Sequence, residues 1–236
     1  TGEDTLSLHD ALPISSTALV MLQANQKMNE FAAPVSMRKV VINPAANAST
    51  VDALKGLFMP SSAISKQYEM GEMGDALGFK FFMSQSVNNI TCGSRTNTTP
   101  IVNGTVTSGS SIVVSGAGTS VTYTVGDVFT VADCYAVNPR TKQSTGALQQ
   151  FVVTATTSDS GGATATLPIS PSIITSGALQ TVTASPADSA PIYVYGIGTG
   201  ATLNGISGIE TAQGLAFHKQ AISLAVVLLI KPGGMD

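Results

Sequence analysis

The amino-acid sequence predicts an α+β protein in which a mixed α/β unit is interrupted by an inserted all-β, barrel-like domain. Of the 236 residues, 43% are apolar and only 11% are charged, which is typical of a low-charge, β-rich chain with a core. Around Asn88 helical periodicity stops, and short strands bounded by glycine, serine and aspartate turns take over. After Pro191 the mixed character returns, which indicates an insertion into a parent domain.

These changes divide the chain into segments 1–15, 16–88, 89–187 and 188–236. Residues 1–14 resemble the translation of a sequencing adapter, so segment 1–15 is interpreted as non-native and excluded from fold prediction. A genuine N-terminal segment is the alternative. Segments 16–88 and 188–236 are predicted to form the parent domain, and 89–187 the inserted barrel.

The first native segment predicts two helices and two strands. Apolar residues recur at helical spacing at Ala18, Met21, Leu22, Met28 and Phe31. Ser16 is available as the N-cap of this helix, and Pro34 ends it. Residues 39–44 predict a short buried strand stopped by Pro44, and residues 49–58 a second helix capped by Thr50. A glycine-punctuated turn within 71–86 leads into an aromatic strand.

The inserted segment predicts strands alone. The candidates are residues 111–114, 119–124, 128–131, 151–156, 163–169 and 180–184. Asn138-Pro139 and Ser144-Thr145-Gly146 mark a loop, because proline fixes φ and glycine permits a positive one. Beyond the insertion, 192–195 and 215–230 are predicted as strands and 196–208 as a loop.

Composition and cysteine usage disfavour several classes of function. A net charge of −3 and a pI near 5.3 provide no basic field for a polyanion, which disfavours a dedicated nucleic-acid-binding role. Cys92 and Cys134 are distant in sequence and lack further ligand pairs, so a zinc site is disfavoured; free thiols are favoured over one disulfide. The longest apolar run, residues 221–230, is about half of the roughly 20 residues a membrane helix needs.

Two features that could indicate chemistry have simpler explanations. His218 has Ser223 nearby, but no Gly-x-Ser-x-Gly turn accompanies them, so a structural histidine is favoured. Residues 196–201, Gly-Ile-Gly-Thr-Gly-Ala, lack the Lys-Ser or Lys-Thr that follows a phosphate-binding loop, which favours a flexible loop. The sequence therefore predicts no catalytic, cofactor-binding or metal-binding residue, and no enzyme.

The most informative run is residues 125–155, in which two alternating strands flank a polar turn. It resembles the "GDVFTI…AV(N/H)P.TKQSTG.L..F.V" pattern in the inserted β-domain of tailed-phage major capsid proteins of the P-twenty-two coat type. Further motifs follow in the family's order: residues 38–44, 74–79, 84–87, 170–171 and 215–219. The resemblance covers about residues 16–230, and the family's outer segments are missing at both ends. It implies an internal fragment of a coat protein with the HK-ninety-seven-type fold, in which the parent domain is the capsid A-domain, returning toward the peripheral domain.

The resemblance implies a structural subunit of an icosahedral phage capsid, self-assembling into pentamers and hexamers that enclose packaged DNA. Its expected partners are other copies of the chain, a scaffolding protein and the portal, with no sequence-specific nucleic acid, no membrane and no cofactor. Its expected location is the virion capsid, assembled in the host cytoplasm.

The residues expected at contacts between subunits are charged. Three lie in an acidic cluster that is otherwise typical of a solvated edge, and four are predicted to be exposed on the barrel. They are Glu69, Glu72, Asp75, Asp127, Asp133, Arg140 and Lys142. Phe129 and Phe151 are predicted as the core of the barrel.

A second hypothesis is a secreted or surface-displayed adhesin, a β-rich binding module. The serine-, threonine- and glycine-rich middle of the chain suggests it. It predicts internal repeats and a signal peptide, and the sequence shows neither.

Overall fold

The computed structural model describes residues 18–54, 74–87, 89–94, 100–106, 108–118, 121–159, 164–194 and 210–222. In these residues lie two helices and fourteen strands. They are α1 (Ala18–Glu30), β1 (Arg38–Ile42), α2 (Pro44–Leu54), β2 (Asp75–Ala76), β3 (Phe79–Met83), β4 (Asn89–Thr91), β5 (Ile101–Val102), β6 (Gly109–Ser115), β7 (Val121–Tyr123), β8 (Val128–Val137), β9 (Ser144–Val153), β10 (Thr157–Asp159), β11 (Thr164–Ile173), β12 (Ile192–Val194), β13 (Glu210–Ala212) and β14 (Leu215–His218).

A four-stranded sheet in the order β14-β1-β3-β2 joins both ends of the described chain. Strand β1 is parallel to β3 and antiparallel to β14, although β14 lies far along the sequence. The core between this sheet and the two helices contains Met21 of α1 and, from the strands, Val40, Ile42, Phe79 and Phe81. Further side chains of α1 and α2 pack against it. We call this sheet with its two helices the parent unit.

Helix α2 begins earlier than its sequence pattern predicts. The expectation of a helix over residues 49–58 capped by Thr50 is wrong at its start, because Pro44 is already the first helical residue. Asn43 is the cap: its Oδ1 accepts a hydrogen bond from the Ala46 backbone N–H at 2.8 Å. Thr50 lies inside the helix, where its hydroxyl donates to the Ala46 carbonyl. Residues 55–58 lie outside the described residues.

Helix α1 ends in a Schellman motif. The Ala33 N–H donates to the Met28 carbonyl at 2.9 Å, and the Ala32 N–H donates to the Asn29 carbonyl at 3.0 Å. This closure places Ala32 in the left-handed region, with φ +56°. Pro34 follows two residues later, as the sequence predicts.

The Ala32→Gly variant is expected to be more stable than the parent chain by about 0.5–1 kcal/mol. The left-handed conformation costs an L residue about 1–2 kcal/mol, and the greater freedom of glycine in the unfolded chain offsets about 0.4–1 kcal/mol of that gain. Urea unfolding measures the difference. Ala33→Gly is the matched control, since the structure records no positive φ at Ala33; if it stabilised the chain equally, the explanation would be wrong.

Arg38 ties β1 to this end of α1. Its side chain is 3% exposed. The guanidinium donates to the carbonyls of Ala33 and Pro34, both at 2.8 Å, and to the side-chain oxygens of Asn25 and Asn29. A buried positive charge is favourable here because the C-terminal end of a helix carries partial negative charge.

Between β3 and β14 the chain leaves the parent unit and returns. The outgoing strand β4 pairs antiparallel with the returning strand β13. We call this pair the ribbon. The two crossings of the chain between the parent unit and the inserted domain are therefore hydrogen-bonded to each other.

The inserted domain is a six-stranded sheet in the order β12-β8-β9-β11-β6-β5. Its two edges meet: Ile192 N–H donates to the Pro100 carbonyl at 2.8 Å, and Val102 N–H donates to the Ala190 carbonyl at 3.0 Å. These bonds nearly close the sheet, so we call it the barrel. Strands β7 and β10 form a separate pair, and Val121 and Tyr123 of β7 are buried in the barrel core.

Strand β12 belongs to the barrel, because it pairs with β8 through the register Ile192↔Val131. The predicted boundary between residues 187 and 188 therefore falls before the last barrel strand. Alternation of apolar residues could identify 192–194 as a strand, but the sequence offers no signal for which sheet it joins.

Strands β8 and β9 are longer than predicted and form the hairpin expected from residues 125–155. The predicted strand at 180–184 is wrong, since only the isolated bridge between Ala136 and Val182 forms there. Strand β14 ends at His218, where a turn at Lys219 and Gln220 follows. The rest of the predicted strand 215–230, from residue 223, lies outside the described residues.

Neither helix in the described part of the chain combines the length and the apolar character needed to cross a membrane.

Candidate functional site

The described residues contain no cluster of three or more His, Cys, Asp or Glu side chains that could hold a metal ion. His218 lies at the end of β14, where its Nδ1 accepts a hydrogen bond from the Gln220 N–H at 3.3 Å. This contact organises the turn after the strand. Residues 196–201 lie outside the described residues.

Burial lowers the reactivity of the Cys134 thiol. Its side chain is buried in the barrel core, and its Sγ donates to the Ala184 carbonyl at 3.4 Å. Burial raises the pKa of the Cys134 thiol to about 11, because a thiolate would be poorly solvated there. The thiol is therefore protonated, and weakly nucleophilic, at neutral pH.

Asp127, expected among the exposed charges, is 2% exposed, so that expectation is wrong. Its carboxylate accepts hydrogen bonds from the backbone N–H of Gly93, at 3.2 and 3.3 Å, and of Thr124, at 3.0 Å. Gly93 follows the ribbon strand β4, and Thr124 lies in the turn before β8. Asp127 therefore fastens the chain leaving the ribbon to the barrel, and it is not available to another subunit.

The other predicted contact residues are dispersed. Asp133 is exposed on β8 with φ +60°, within a shift in the register between β8 and β9. Arg140 is exposed in the β8–β9 loop, whereas Lys142 is half-buried and its Nζ donates to the Ala178 carbonyl. Asp75 is exposed on β2 of the parent unit, and Glu69 and Glu72 lie outside the described residues. The structure does not gather these residues into one site.

A surface that the sequence did not predict lies on the parent sheet. Strand alternation puts Lys39 and Val41 on the face opposite the core residues Val40 and Ile42. Strand pairing extends that face to both neighbours of β1: Leu215 and Phe82 flank Val41, while Phe217 and Lys80 flank Lys39. Asp75 lies directly opposite Lys80. We call this surface the open face.

The open face is mainly apolar, and it carries two lysines and, opposite Lys80, the acidic Asp75. Leu215 is 53% exposed and Phe82 is 40% exposed. The ammonium groups of Lys39 and Lys80 lie 5.3 and 6.0 Å from the centre of the Phe82 ring, within the range of cation–π attraction. Such a face can pack against an apolar surface that carries charged groups at its margin.

Exposed apolar side chains also occur beside the sheet edge. Val35 and Met37 are 77% and 65% exposed in the loop between α1 and β1, and Ile222 is 62% exposed after β14. The Lys219 N–H donates to the Met37 carbonyl at 3.1 Å, which holds the two segments together. One sequence signal could have identified Val35 and Met37 as exposed apolar residues. They are two apolar residues in the loop after Pro34, where no core position was predicted.

Phe129 and Phe151, the predicted barrel core, are both 0% exposed. They are directly opposite each other on β8 and β9, with ring centroids 5.7 Å apart and planes tilted by 34°. This pair belongs to a hydrophobic core drawn from most of the barrel strands.

No protein-family model matches the chain. No curated protein matches it. Among solved structures, the chain is similar to one described as the CUS-3 coat protein I-domain, with 28% sequence identity over 42% of this chain and 96% of that chain. The TM-score of this match is 0.31.

Proposed function

We propose that this chain is a structural subunit of a tailed-phage capsid of the P-twenty-two coat type. The observation that carries the proposal is where the family-like motifs lie in the fold. Residues 38–44 supply β1 and the start of α2, residues 74–79 supply the β2–β3 turn, and residues 215–219 supply β14. These motifs are far apart in sequence, yet they form neighbouring strands of one sheet.

The interruption of that sheet supports the same proposal. The resemblance implies a parent domain with a barrel inserted before its last strands. In this chain the excursion lies between β3 and β14, with the ribbon at its base, and the resembling run 125–155 forms the β8–β9 hairpin of the barrel. An architecture without this excursion would have weakened the proposal.

The distribution of exposed apolar residues supports assembly through the parent unit. Most of the large exposed apolar side chains in the described residues lie there rather than on the barrel: Leu22, Val35, Met37, Phe82, Met83, Leu215 and Ile222. Contiguous exposed apolar surface marks interaction sites, and Phe82 and Leu215 share the open face on either side of Val41. We therefore propose that copies of the chain meet through the parent unit to form rings of five and six subunits around symmetry axes.

By the same resemblance, the proposed partners also include a scaffolding protein and the portal. The proposed location is the virion capsid, with assembly in the host cytoplasm. The proposed role of the chain is limited to repeated contacts between subunits. Each contact is weak alone, and the assembly becomes stable when rings close.

Sedimentation velocity and negative-stain electron microscopy of the purified chain test this proposal. We expect oligomers that grow with concentration, including ring-shaped particles. Leu215→Asp on the open face should shift the population toward monomers. Leu179→Asp is the matched control, because Leu179 is 76% exposed on the barrel. A parent chain that stayed monomeric at every concentration would contradict assembly by this chain on its own, and equal oligomer distributions for Leu215→Asp and Leu179→Asp would contradict assembly through the parent unit.

A further inference from the structure

The C-terminal end of α1 is completed by a residue of the barrel. The last four carbonyls of a helix lack partners within the helix. In α1, three of them accept hydrogen bonds from nearby N–H groups: Lys27 from Phe31, Met28 from Ala33 and Asn29 from Ala32. The fourth, the carbonyl of Glu30, accepts a hydrogen bond from Nδ2 of Asn138 at 2.7 Å, across 108 residues of sequence.

Asn138 is held in position for this contact by its own loop. Its Oδ1 accepts hydrogen bonds from the backbone N–H of Arg140 at 2.9 Å and of Thr141 at 3.2 Å. The backbone N–H of Asn138 donates to the Gln143 carbonyl, and the backbone carbonyl of Asn138 accepts a hydrogen bond from the Lys142 backbone N–H. With two donors facing Oδ1, the amide nitrogen must point toward α1. The donor is therefore oriented before the contact forms, which lowers the entropic cost of making it.

The hydrogen bond between Asn138 and Glu30 lies at one end of strand β8, and the ribbon lies at the other end. Asp127, which binds Gly93 beside the ribbon, immediately precedes β8, and Asn138 immediately follows it. The ten residues of β8 span about 30 Å at roughly 3.3 Å per residue. A body attached at one end alone can pivot about that attachment, whereas a second attachment a strand length away restrains the pivot.

We propose that Asn138 is an interdomain latch that fixes the orientation of the barrel on the parent unit, with the ribbon as the pivot it restrains. The latch acts by capping α1, so the same hydrogen bond that orients the barrel also completes the helix end beside Arg38. This role is independent of capsid assembly.

Residual dipolar couplings of the isotopically labelled full chain test the latch. In the parent chain, couplings from the parent unit and the barrel should fit one alignment tensor. Asn138→Asp keeps an oxygen for the Arg140 and Thr141 N–H groups, but it removes the donor and directs a negative charge at the C-terminal end of α1. We expect the two units of this variant to require different tensors, while chemical shifts within each unit stay near those of the parent chain.

Two further variants make the test decisive. Asn138→Ser retains a hydroxyl acceptor for the loop, is too short to reach the Glu30 carbonyl and adds no charge, so it should separate the tensors as well. Asn103→Asp makes the same substitution at an exposed barrel position and should leave one tensor. A single common tensor in both Asn138 variants would overturn the proposal, and so would separate tensors in the parent chain.

Discussion

Replacing Phe151 with alanine is expected to lower the free energy of unfolding of the barrel by about 3–5 kcal/mol. The Phe151 side chain is 0% exposed, and its ring packs against Phe129 on the facing strand, with centroids 5.7 Å apart. Its removal leaves a cavity between β8 and β9 that their paired backbones cannot collapse to fill. Urea unfolding followed by circular dichroism measures the loss.

The neighbouring residue provides the control for Phe151. Val152 lies on the same strand, faces the other side and is 37% exposed, so Val152→Ala should cost much less. Amide hydrogen exchange would also separate the two parts of the chain, because Phe151 packs in the barrel core and not in that of the parent unit. Equal unfolding midpoints for Phe151→Ala and the parent chain would show that this pair does not hold the barrel together.

The Gly93→Ala substitution is expected to cost about 3 kcal/mol, at the upper end of the range for overpacking. A Cβ atom at Gly93 would lie 2.0 Å from the Thr122 carbonyl oxygen and 2.9 Å from Oδ2 of Asp127. The nearest obstacle is backbone, so no side-chain rotation relieves it. Relief requires the chain after β4 to move, which also breaks the hydrogen bonds from the Gly93 N–H to Asp127.

Thermal unfolding of Gly93→Ala and Gly214→Ala provides the comparison. A Cβ at Gly214 meets Val41 and Ile42 no closer than 3.4 Å, so that variant should keep a midpoint near that of the parent chain. If the two variants lost equal stability, the close approach at Gly93 would not be the cause. A specific loss at Gly93 would identify the junction beside the ribbon as a rigid part of the fold.

Sequence patterns predicted the elements whose signals are local. The β8–β9 hairpin follows from alternating apolar residues on either side of Asn138-Pro139, and the end of α1 follows from Pro34. The start of α2 was mispredicted because two local signals compete there. Proline ends a strand but also suits the first turn of a helix. In this chain β1 ends just before Asn43, which caps α2, and Pro44 is the first residue of that helix.

Alone, the sequence determined the β-rich character of the middle of the chain, its hairpin around Asn138-Pro139 and the buried aromatic pair in the barrel, because periodicity and turn chemistry act over a few residues. Only the tertiary structure decided that Asp127 is buried, that β12 closes the barrel, that Leu215 and Phe82 share an open face, and that Asn138 caps α1. Each of these depends on which distant backbone groups and faces meet. An aspartate, asparagine or leucine is compatible with either solvent exposure or a tertiary contact, and local sequence does not distinguish the two. Strand pairing decides between them by placing a partner near the side chain.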